Sequence, residues 1–318
     1  MKALQQIIKR VAENSSQRWA LATLVQTEGS TYRSLGARLL VERNGETLGA
    51  LSGGCLEEEI GRYGKKVIAT QSPSLLSFDT RRLYGCSGRL KIVVEPLPAA
   101  ECNGNLITKI GRLLKNRQIC RVRTRFEGDT LGSDLLATDV LLPTRRGILI
   151  DAVAPPVRLL LFGPGPEIEP ITQFAVNLGW MIEHFAHPSQ LPEDFRPDAQ
   201  TAALVMTHHF GRDLLALHRV LPLQLRYVGL LGPRKRHAEL LTQLSEHWSL
   251  DFDVDFSAAV KNLFAPAGLD IGSEAPEEIA LAIVSEVAAV LSNRMGGFLR
   301  ERWRHTHTIT TTASGEAA

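Results

Sequence analysis

The proline pair Pro155-Pro156 constrains the fold of this chain more than any other feature of its sequence. Proline stiffens the backbone and pushes the preceding residue into an extended conformation, so the pair predicts a seam between two domains. Beyond the seam, short apolar runs such as 157–162 and 181–185 alternate with helical patterns. This alternation predicts a parallel sheet, and we expect a Rossmann-like domain there.

The half before the seam has a different pattern. After an amphipathic first helix, the runs at 20–26, 37–42 and 46–51 are typical of strands, and the turn Asn44-Gly45 joins the last two into a hairpin. A helix is predicted at 56–69, directly after a glycine turn. The first half is therefore expected to be mixed α+β.

Domain boundaries follow from these patterns. We predict an α/β chain in which a mixed α+β N-terminal domain, 1–153, is followed by a Rossmann-like parallel-sheet C-terminal domain, 157–305. The first domain includes a small accessory segment, 101–153, with one helix and short strands. The last helix, 276–291, is apolar on nearly all sides, which predicts that it is buried. The small polar residues of 306–318 predict a disordered tail.

Charge and cysteine usage narrow the classes of function. Thirty-six Lys and Arg against 34 Asp and Glu give a net charge of +2, so no nucleic-acid partner is expected. No apolar run is long enough to span a membrane, and the first residues lack the apolar stretch of a signal peptide. The four cysteines form no CxxC pair, which fits a reduced cytoplasmic compartment. Cys102 and Cys120 are predicted to be structural.

The segment SGGCLEEEI, 52–60, is the most informative stretch for chemistry. Gly53 and Gly54 allow successive backbone N–H groups to point into one concavity, which favours an anion. A thiol at a helix start is acidified toward the reactive thiolate, so Cys55 is a candidate ligand or nucleophile. Glu57 begins a run of three acids in the first helical turn. On the residues alone, a tight turn with an inward-packed cysteine is an equal alternative.

Two neighbouring segments could contribute to the same site. EGSTYRSLGARLL contains Arg33 and Arg38, and guanidinium groups suit phosphate or pterin oxygens, although an ordinary solvated loop has similar residues. YGCSG places Cys86 between glycines, where it could join Cys55 on a soft metal such as molybdenum. A structural loop cysteine is the alternative for Cys86.

In the second half, FGPGPEIEP places Gly163 and Gly165 after a strand, as at the start of a dinucleotide fingerprint. The match is partial, because the third glycine position is Ile168 and the next strand ends in Phe185, without an acid for a ribose hydroxyl. The two prolines in the loop also remove N–H groups that would face a pyrophosphate. Ordinary NAD(P) binding is therefore not expected.

Two other strand ends in this half are polar. Thr207-His208-His209 precedes a helix, and GLLGPRKRH places three basic residues, 234–236, after Gly232. Ligands of open α/β sheets bind at such ends, so the basic loop could hold a phosphate, while a charged helix start facing solvent explains it comparably well. Adjacent histidines rarely point the same way, so a metal site at 208–209 is not expected.

These segments together resemble the XdhC/CoxI family. The matching pieces, in order, are GSTYRSLGARLLV, GALSGGCLEEEI, FGPGPEIEPI, VMTHHFGRD, YVGLLGPRKR and PAGLDIGSEAPEEIALAIVSE. The resemblance covers most of the chain, and its most distinctive parts are SGGC followed by glutamate and the run at 268–272. Periodicity and composition alone would not have identified it.

The resemblance implies an accessory chaperone that does not turn over a substrate itself, so no catalytic residue is expected. Such a protein binds the molybdenum cofactor in its molybdopterin form, protects it during sulfuration by a cysteine desulfurase and delivers it to an apo xanthine dehydrogenase-like molybdenum hydroxylase. A cytoplasmic homodimer is implied as well. Carried across by position, Cys55 would be the cofactor-proximal thiol and a possible molybdenum-proximal thiolate, with Gly53, Gly54 and Glu57 beside it.

The same resemblance places Arg33 and Arg38 at the flanks of the pocket. Two departures from the family pattern limit the transfer: Ser87 stands where members commonly have glycine, and Phe185 stands where they have an aspartate-containing strand end. The first weakens a role for Cys86, and the second weakens a ribose contact. Two other classes of function remain open, an NAD(P)-dependent oxidoreductase using Gly163 and Gly165, and a non-catalytic docking scaffold.

Overall fold

A computed structural model describes residues 1–29, 33–52, 54, 56–79, 88–137 and 146–301, and for residues 247 and 249–251 it describes the backbone alone. Its contacts divide the chain into two compact units, Met1–Pro156 and Val157–Ala318. The division falls directly after the pair Pro155-Pro156, where proline stiffens the connection. The predicted tail, 306–318, lies outside the described residues.

The first unit contains helices packed on two antiparallel sheets. Its elements are α1 (Lys2–Glu13), β1 (Trp19–Gly29), β2 (Arg38–Val41), β3 (Thr47–Gly49), α2 (Glu57–Thr70), β4 (Ser74–Asp79), β5 (Gly88–Leu97), α3 (Leu106–Lys115), β6 (Cys120–Arg125), β7 (Gly132–Leu136) and β8 (Ile148–Val153). The main sheet has the order β3-β2-β1-β5-β4, and the accessory segment forms the sheet β7-β6-β8. All pairings are antiparallel, which confirms the mixed α+β prediction.

The central strand β1 is buried on both faces, which is why its sequence is a nearly continuous apolar run. Successive side chains of a strand point to opposite faces. Trp19 and Leu21 therefore pack in one cluster with Ile107 of α3, and Leu24 packs in the other with Ile60 of α2. The alternation gives the sheet one layer of helices on each side.

The second unit is a doubly wound parallel sheet. Its elements are β9 (Arg158–Phe162), α4 (Ile168–Leu178), β10 (Met181–Phe185), β11 (Thr201–Val205), α5 (Phe210–Val220), β12 (Val228–Leu230), α6 (Arg234–Asp251), α7 (Phe256–Val260), β13 (Leu263–Phe264) and α8 (Pro276–Leu291), with short 3₁₀ turns at Pro188–Gln190 and Leu221–Leu223. The strand order is β10-β9-β11-β12-β13, all parallel. This arrangement confirms the Rossmann-like prediction and places the topological switch point between β9 and β11.

Three features of the second unit differ from the sequence-based expectation. α7 and β13 were not predicted, because two to five residues are too few to show a periodic pattern. β13 nevertheless adds a fifth strand by pairing with β12. α8 was expected to be buried on nearly all sides, and this expectation was wrong for Leu281, which is 44% exposed while Ile283 is fully buried. The other residues of 279–291 are buried or partly buried, and Ile283 and Val287 pack in one cluster with Leu159 of β9 and Leu204 of β11.

The glycines of α2 allow the helix to lie close to the β2–β3 hairpin. A Cβ added at Gly61 would lie 2.3 Å from the backbone carbonyl oxygen of Gly45. In contrast, a Cβ on Gly211 of α5 would meet nothing closer than 3.7 Å. The two helical glycines thus differ in the space around them.

We expect Gly61→Ala to lower the free energy of unfolding by about 1–3 kcal/mol, because the added methyl group forces the helix away from the hairpin. Gly211→Ala is the matched control and should be neutral or stabilising by up to about 1 kcal/mol, the ordinary helix preference for alanine. Urea unfolding followed by circular dichroism measures both. A Gly61→Ala variant at least as stable as the wild type would contradict the close approach.

Candidate functional site

The glycine turn between β3 and α2 is organised by the carboxylate of Glu57. Oε1 of Glu57 accepts hydrogen bonds from the backbone N–H groups of Leu51 at 3.0 Å and Ser52 at 2.8 Å. Oε2 accepts from Ser52 Oγ at 2.6 Å and from the N–H of Leu56 at 3.1 Å. The carboxylate therefore closes the turn on itself from the first position of the helix.

The turn was expected to offer successive N–H groups to a ligand anion, and the N–H groups that the structure describes there are bonded within the protein. Among the described residues of the turn, the N–H groups of Leu51, Ser52 and Leu56 are bonded to Glu57. The N–H of Gly54 donates to Ser52 Oγ at 3.2 Å. The protein's own carboxylate occupies the place of the anion. The predicted ligands Gly53 and Cys55 lie outside the described residues.

Gly54 leaves the outer surface of the turn open. Its φ is +110°, a conformation that side chains with a Cβ rarely adopt, and a Cβ built there would have nothing within 4 Å. Gly54 is also exposed. Among the described residues, none therefore blocks the space directly over the backbone of Gly54.

The two predicted arginines are placed differently. Arg33 is exposed and directly follows residues that are outside the described set. Arg38 is buried, and its guanidinium group donates to both carboxylate oxygens of Asp151 on β8, at 3.0 and 2.9 Å, and to the carbonyl oxygen of Gly36. A place for Arg38 at the flank of a cofactor pocket stays a prediction, and the structure shows that its guanidinium group has an internal partner.

Gly36 belongs to the same arrangement. Its φ is +82°, and a Cβ added there would lie 2.7 Å from Cγ of Asp151. The loop that carries Arg33 is thus held at one end by a close approach of backbone to the Arg38–Asp151 ion pair. The sequence contained no signal for this pairing, because Asp151 is 113 residues away.

Of the remaining cysteines, the structure describes Cys102 and Cys120. Cys86, a candidate metal ligand, lies outside the described residues. Cys102 is an exposed free thiol, and Cys120 is buried on β6 with its Sγ 3.7 Å from the carbonyl oxygen of Val153. Burial raises the pKa of the Cys120 thiol, which keeps it protonated and unreactive.

In the second unit, the loop after β9 lies at the switch point. Gly163 has a φ of +109°, and a Cβ there would lie 2.4 Å from the backbone Cα of Thr207. Gly163 therefore lets the loop after β9 contact the loop after β11. Its carbonyl oxygen lies 2.9 Å from Nε2 of His184 on β10, which ties the same loop to the neighbouring strand.

A buried carboxylate occupies the same loop. Glu167 is 6% exposed, and its Oε2 has no hydrogen-bond partner within the described part of the chain. A Cβ on Gly165 would lie 2.6 Å from that oxygen, and His208 Nε2 lies 3.9 Å from it. Negative charge at this point disfavours a pyrophosphate, which a dinucleotide fingerprint would bind here.

Glu183, the acid near the end of β10, is bonded to another strand of the sheet. Glu183 accepts a hydrogen bond of 2.6 Å from Arg158 on β9, so its carboxylate is held within the sheet edge. Phe185, the last residue of the strand, stacks on Phe162 with ring centroids 5.2 Å apart. The position that would hold a ribose hydroxyl is therefore aromatic and packed.

Sequence reasoning missed a buried charge network at the carboxyl end of the central strand β11. Asp213 of α5 is fully buried; it accepts hydrogen bonds from the N–H and Oγ1 of Thr207 and pairs with Arg236 of α6. An acid in the first turn of α5 was the only available signal, and such acids are common at helix starts. His209 caps the same helix, its Nδ1 accepting from the N–H of Arg212.

The described residues contain neither a cluster of metal-ligating side chains nor a helix that could span a membrane. Apart from the gaps at 30–32, 53, 55, 80–87, 138–145 and 302–318, no three His, Cys, Asp or Glu side chains lie together as a metal site would require. Among the helices of that same part of the chain, none has both the length and the apolar character of a membrane span.

The fold and the turn together define a class: a two-unit α/β protein with a Rossmann-like unit after a mixed α+β unit whose glycine turn is organised by a glutamate. Two family models match this architecture. The XdhC Rossmann domain matches residues 159–287, and the XdhC and CoxI family matches residues 12–79. The chain belongs to the XdhC and CoxI family.

Curated relatives are similar over most of the chain. A probable xanthine dehydrogenase subunit of Bacillus subtilis (strain 168) is 26% identical over 314 residues, covering 84% of this chain and 91% of that protein. The molybdenum cofactor insertion chaperone PaoD of Escherichia coli (strain K12) is 26% identical over 281 residues, covering 85% and 82%.

A solved structure has the same fold. The crystal structure of a protein described as a xanthine dehydrogenase from Bacillus halodurans superposes with a TM-score of 0.74, covering 92% of this chain and 97% of that one. The two sequences are 24% identical, and at that level the likeness shows the fold alone.

Protonation of Glu57 should loosen the turn. Burial alone would raise the pKa of Glu57, but the hydrogen bonds from Ser52 Oγ and from the N–H groups of Ser52 and Leu51 outweigh it and hold the pKa below its usual value. A lowered pKa means that the stabilisation is fully present above the pKa of the unfolded state. It is lost as the pH falls through the pKa of the folded state.

We therefore expect Glu57→Gln to lower the free energy of unfolding at neutral pH by about 1–3 kcal/mol. The difference from the wild type should shrink as the pH falls from about 6 to below about 4. Glu58→Gln is the control, because Glu58 is an exposed residue of the same helical turn and its substitution removes the same charge. Urea unfolding across this pH range measures both variants. The same pH dependence in both would contradict the conclusion that the hydrogen-bonded carboxylate of Glu57 stabilises the turn.

The ion pair of Arg38 gives a separate prediction. Arg38→Met leaves the partly buried Asp151 without its partner and should cost about 3–5 kcal/mol of stability, whereas Arg38→Met/Asp151→Leu should recover most of the loss. Urea unfolding measures both variants. Failure of the double variant to recover stability would show that the arginine has a role beyond this pair.

Proposed function

We propose that this protein is a maturation chaperone that binds the molybdenum cofactor, protects it during sulfuration by a cysteine desulfurase and helps insert it into an apo xanthine dehydrogenase-like molybdenum hydroxylase. Membership of the XdhC and CoxI family supports the proposal. So does the similarity to a relative named as a molybdenum cofactor insertion chaperone, which extends over 85% of the chain.

The Glu57-organised turn is the observation that carries the proposal at the level of residues. Its charge is already compensated by four hydrogen bonds, so the carboxylate does not repel an anionic cofactor as a free one would. The surface over Gly54 is open, and Cys55 is the adjacent thiol. These features fit a ligand that combines a soft metal with an anionic group.

In this proposal, the residues have distinct roles. Cys55 supplies a thiolate to the molybdenum-proximal side of the cofactor, and Gly53 and Gly54 allow the cofactor to approach the backbone. Glu57 and Ser52 position the turn without contacting the cofactor. Arg33 contributes positive charge beside the pocket, and Arg38 supports the neighbouring loop through Asp151. The molybdenum centre itself serves the client hydroxylase.

The remaining parts of the proposal concern partners. The client is a xanthine dehydrogenase-like hydroxylase, the desulfurase supplies the sulfur, and the chaperone acts as a cytoplasmic homodimer. The free thiols of Cys102 and Cys120 support a reducing compartment. Analytical ultracentrifugation tests the dimer.

The central test is cofactor retention. Anaerobically purified protein is incubated with molybdenum cofactor released from a donor enzyme and then desalted, and bound molybdenum and oxidised pterin are measured. Glu57→Gln should weaken retention by about tenfold, and Cys55→Ser by at least as much, as for residues that bind or orient metal ligands. Cys102→Ser, which removes an exposed thiol elsewhere in the same unit, should retain the cofactor like the wild type.

No retention by the wild type would reject the chaperone function. Retention by Cys55→Ser at the wild-type level would reject Cys55 as the ligand. Equal losses in Cys55→Ser and Cys102→Ser would show a general effect of thiol removal, and would reject the assignment to the turn.

A further inference from the structure

The amino terminus of α6 lies at a position where open α/β sheets bind ligands. β12 ends at Leu230, and the turn at Gly232 and Pro233 leads directly into α6. The turn is therefore at the carboxyl end of a parallel strand, beside the loop after β11. Neither the family match nor the proposed turn in the first unit assigns a role to it.

The first turn of α6 carries positive charge, which is unfavourable at the amino terminus of a helix. The helix has 18 residues, no acid in its first turn and no side-chain cap from Pro233. It begins instead with Arg234 and Lys235, both exposed, for which no hydrogen bond or ion pair with another described residue exists. Cations are disfavoured at a helix amino terminus, where the dipole and the free N–H groups attract negative charge. A bound anion would reverse this imbalance.

Arg236 does not contribute to that excess of positive charge. Its guanidinium group pairs with the buried carboxylate of Asp213, which also accepts hydrogen bonds from Thr207. The two charges neutralise each other. The ion pair joins α6 to α5 and, through Thr207, to the loop after β11. Arg234 and Lys235 therefore remain the uncompensated charges at the mouth of the turn.

A buried histidine points at the same turn. His237 is 4% exposed, and neither of its ring nitrogens has a hydrogen-bond partner among the described residues. Its Nε2 is 3.5 Å from the position of a Cβ on Gly232. Burial lowers the pKa of His237, the charge of Arg236 adds to this and Asp213 opposes it, so the neutral ring has one N–H to donate. An unpaired buried donor is costly, so a ligand that accepts from it would stabilise the turn.

At Gly232, a ligand atom in the place of a Cβ would be in ordinary contact with His237. The φ of Gly232 is +144°, and the nearest atoms to a Cβ there would be His237 Nε2 and, at 3.9 Å, Cδ of Arg236. A small oxyanion could therefore reach the backbone of the turn. The first strand–helix loop of this unit is unsuitable by comparison, because Glu167 buries a carboxylate there and Pro164 and Pro166 lack N–H groups.

We propose that the turn at Gly232 and the start of α6 form a binding site for a phosphate group, held by Arg234, Lys235, His237 and the free N–H groups of the helix. The phosphate is either free inorganic phosphate or the monoester of a nucleotide. The site departs from the usual Rossmann arrangement, because the anion lies after the fourth strand in chain order rather than after the first. It is independent of the proposed cofactor turn.

Isothermal titration calorimetry at low ionic strength, with inorganic phosphate and with adenosine monophosphate, tests the site in the full chain. Saturable binding of at least one of them to the wild type is expected. Arg234→Ser/Lys235→Ser should weaken that binding by at least about tenfold, since two charge-assisted contacts are lost. Arg112→Ser/Lys115→Ser is the matched control: it removes the same charges from the last turn of α3, and binding should change by less than about twofold.

Equal affinity for both probes would identify the phosphate group itself as the ligand, and tighter binding of adenosine monophosphate would identify a nucleotide. His237→Phe should weaken the same binding, with a melting curve as the check on folding. The proposal is overturned if neither probe binds, or if the two double variants have equal effects. Because these probes contain no molybdenum or pterin, either result is separate from the test of cofactor retention.

Discussion

The hydrogen bonds that the Glu57 carboxylate accepts from Leu51, Ser52 and Leu56 organise the described part of the glycine turn in the first unit. A helix start normally attracts an external anion, because its N–H groups are unpaired. Here the helix supplies the anion itself, and the turn is closed before any ligand arrives. These bonds hold the described backbone at Ser52 and Leu56, and a Cβ built on Gly54 would meet no described atom within 4 Å.

At the carboxyl ends of the strands in the second unit, negative and positive charges lie in different loops. At the loop after β9, Glu167 has an oxygen without a hydrogen-bond partner within the described residues. Two strands away, Arg234 and Lys235 begin α6 without an acid in its first turn. Asp213 of α5 accepts hydrogen bonds from Thr207 after β11 and pairs with Arg236 of α6. In this Rossmann-like unit, the loop after the fourth strand thus favours an anion, and the loop after the first strand, the usual place, opposes one. The fold alone therefore does not imply dinucleotide binding.

Elements with a long periodic pattern could be predicted well from the sequence. α8 has the predicted bounds, Pro276–Leu291, because proline and two glutamates mark its start. β10 was also predicted at its observed position. β13, with two residues, was missed because it depends on its pairing with β12. The exposure of Leu281 was missed for a related reason: a sequence shows how apolar a helix is, but not how many neighbours cover it.

The sequence by itself determined the two-unit organisation, the fold class and the family, since these depend on local periodicity, on Pro155-Pro156 and on motifs that are contiguous in the chain. It also placed Glu57 in the first turn of a helix. Only the tertiary structure decided which partners the charged groups have. Glu57 turns back to its own loop, and Arg38 pairs with Asp151, 113 residues away. Such pairings depend on which strands meet in space and how far each group is buried, and neither property is encoded in the local pattern of residues.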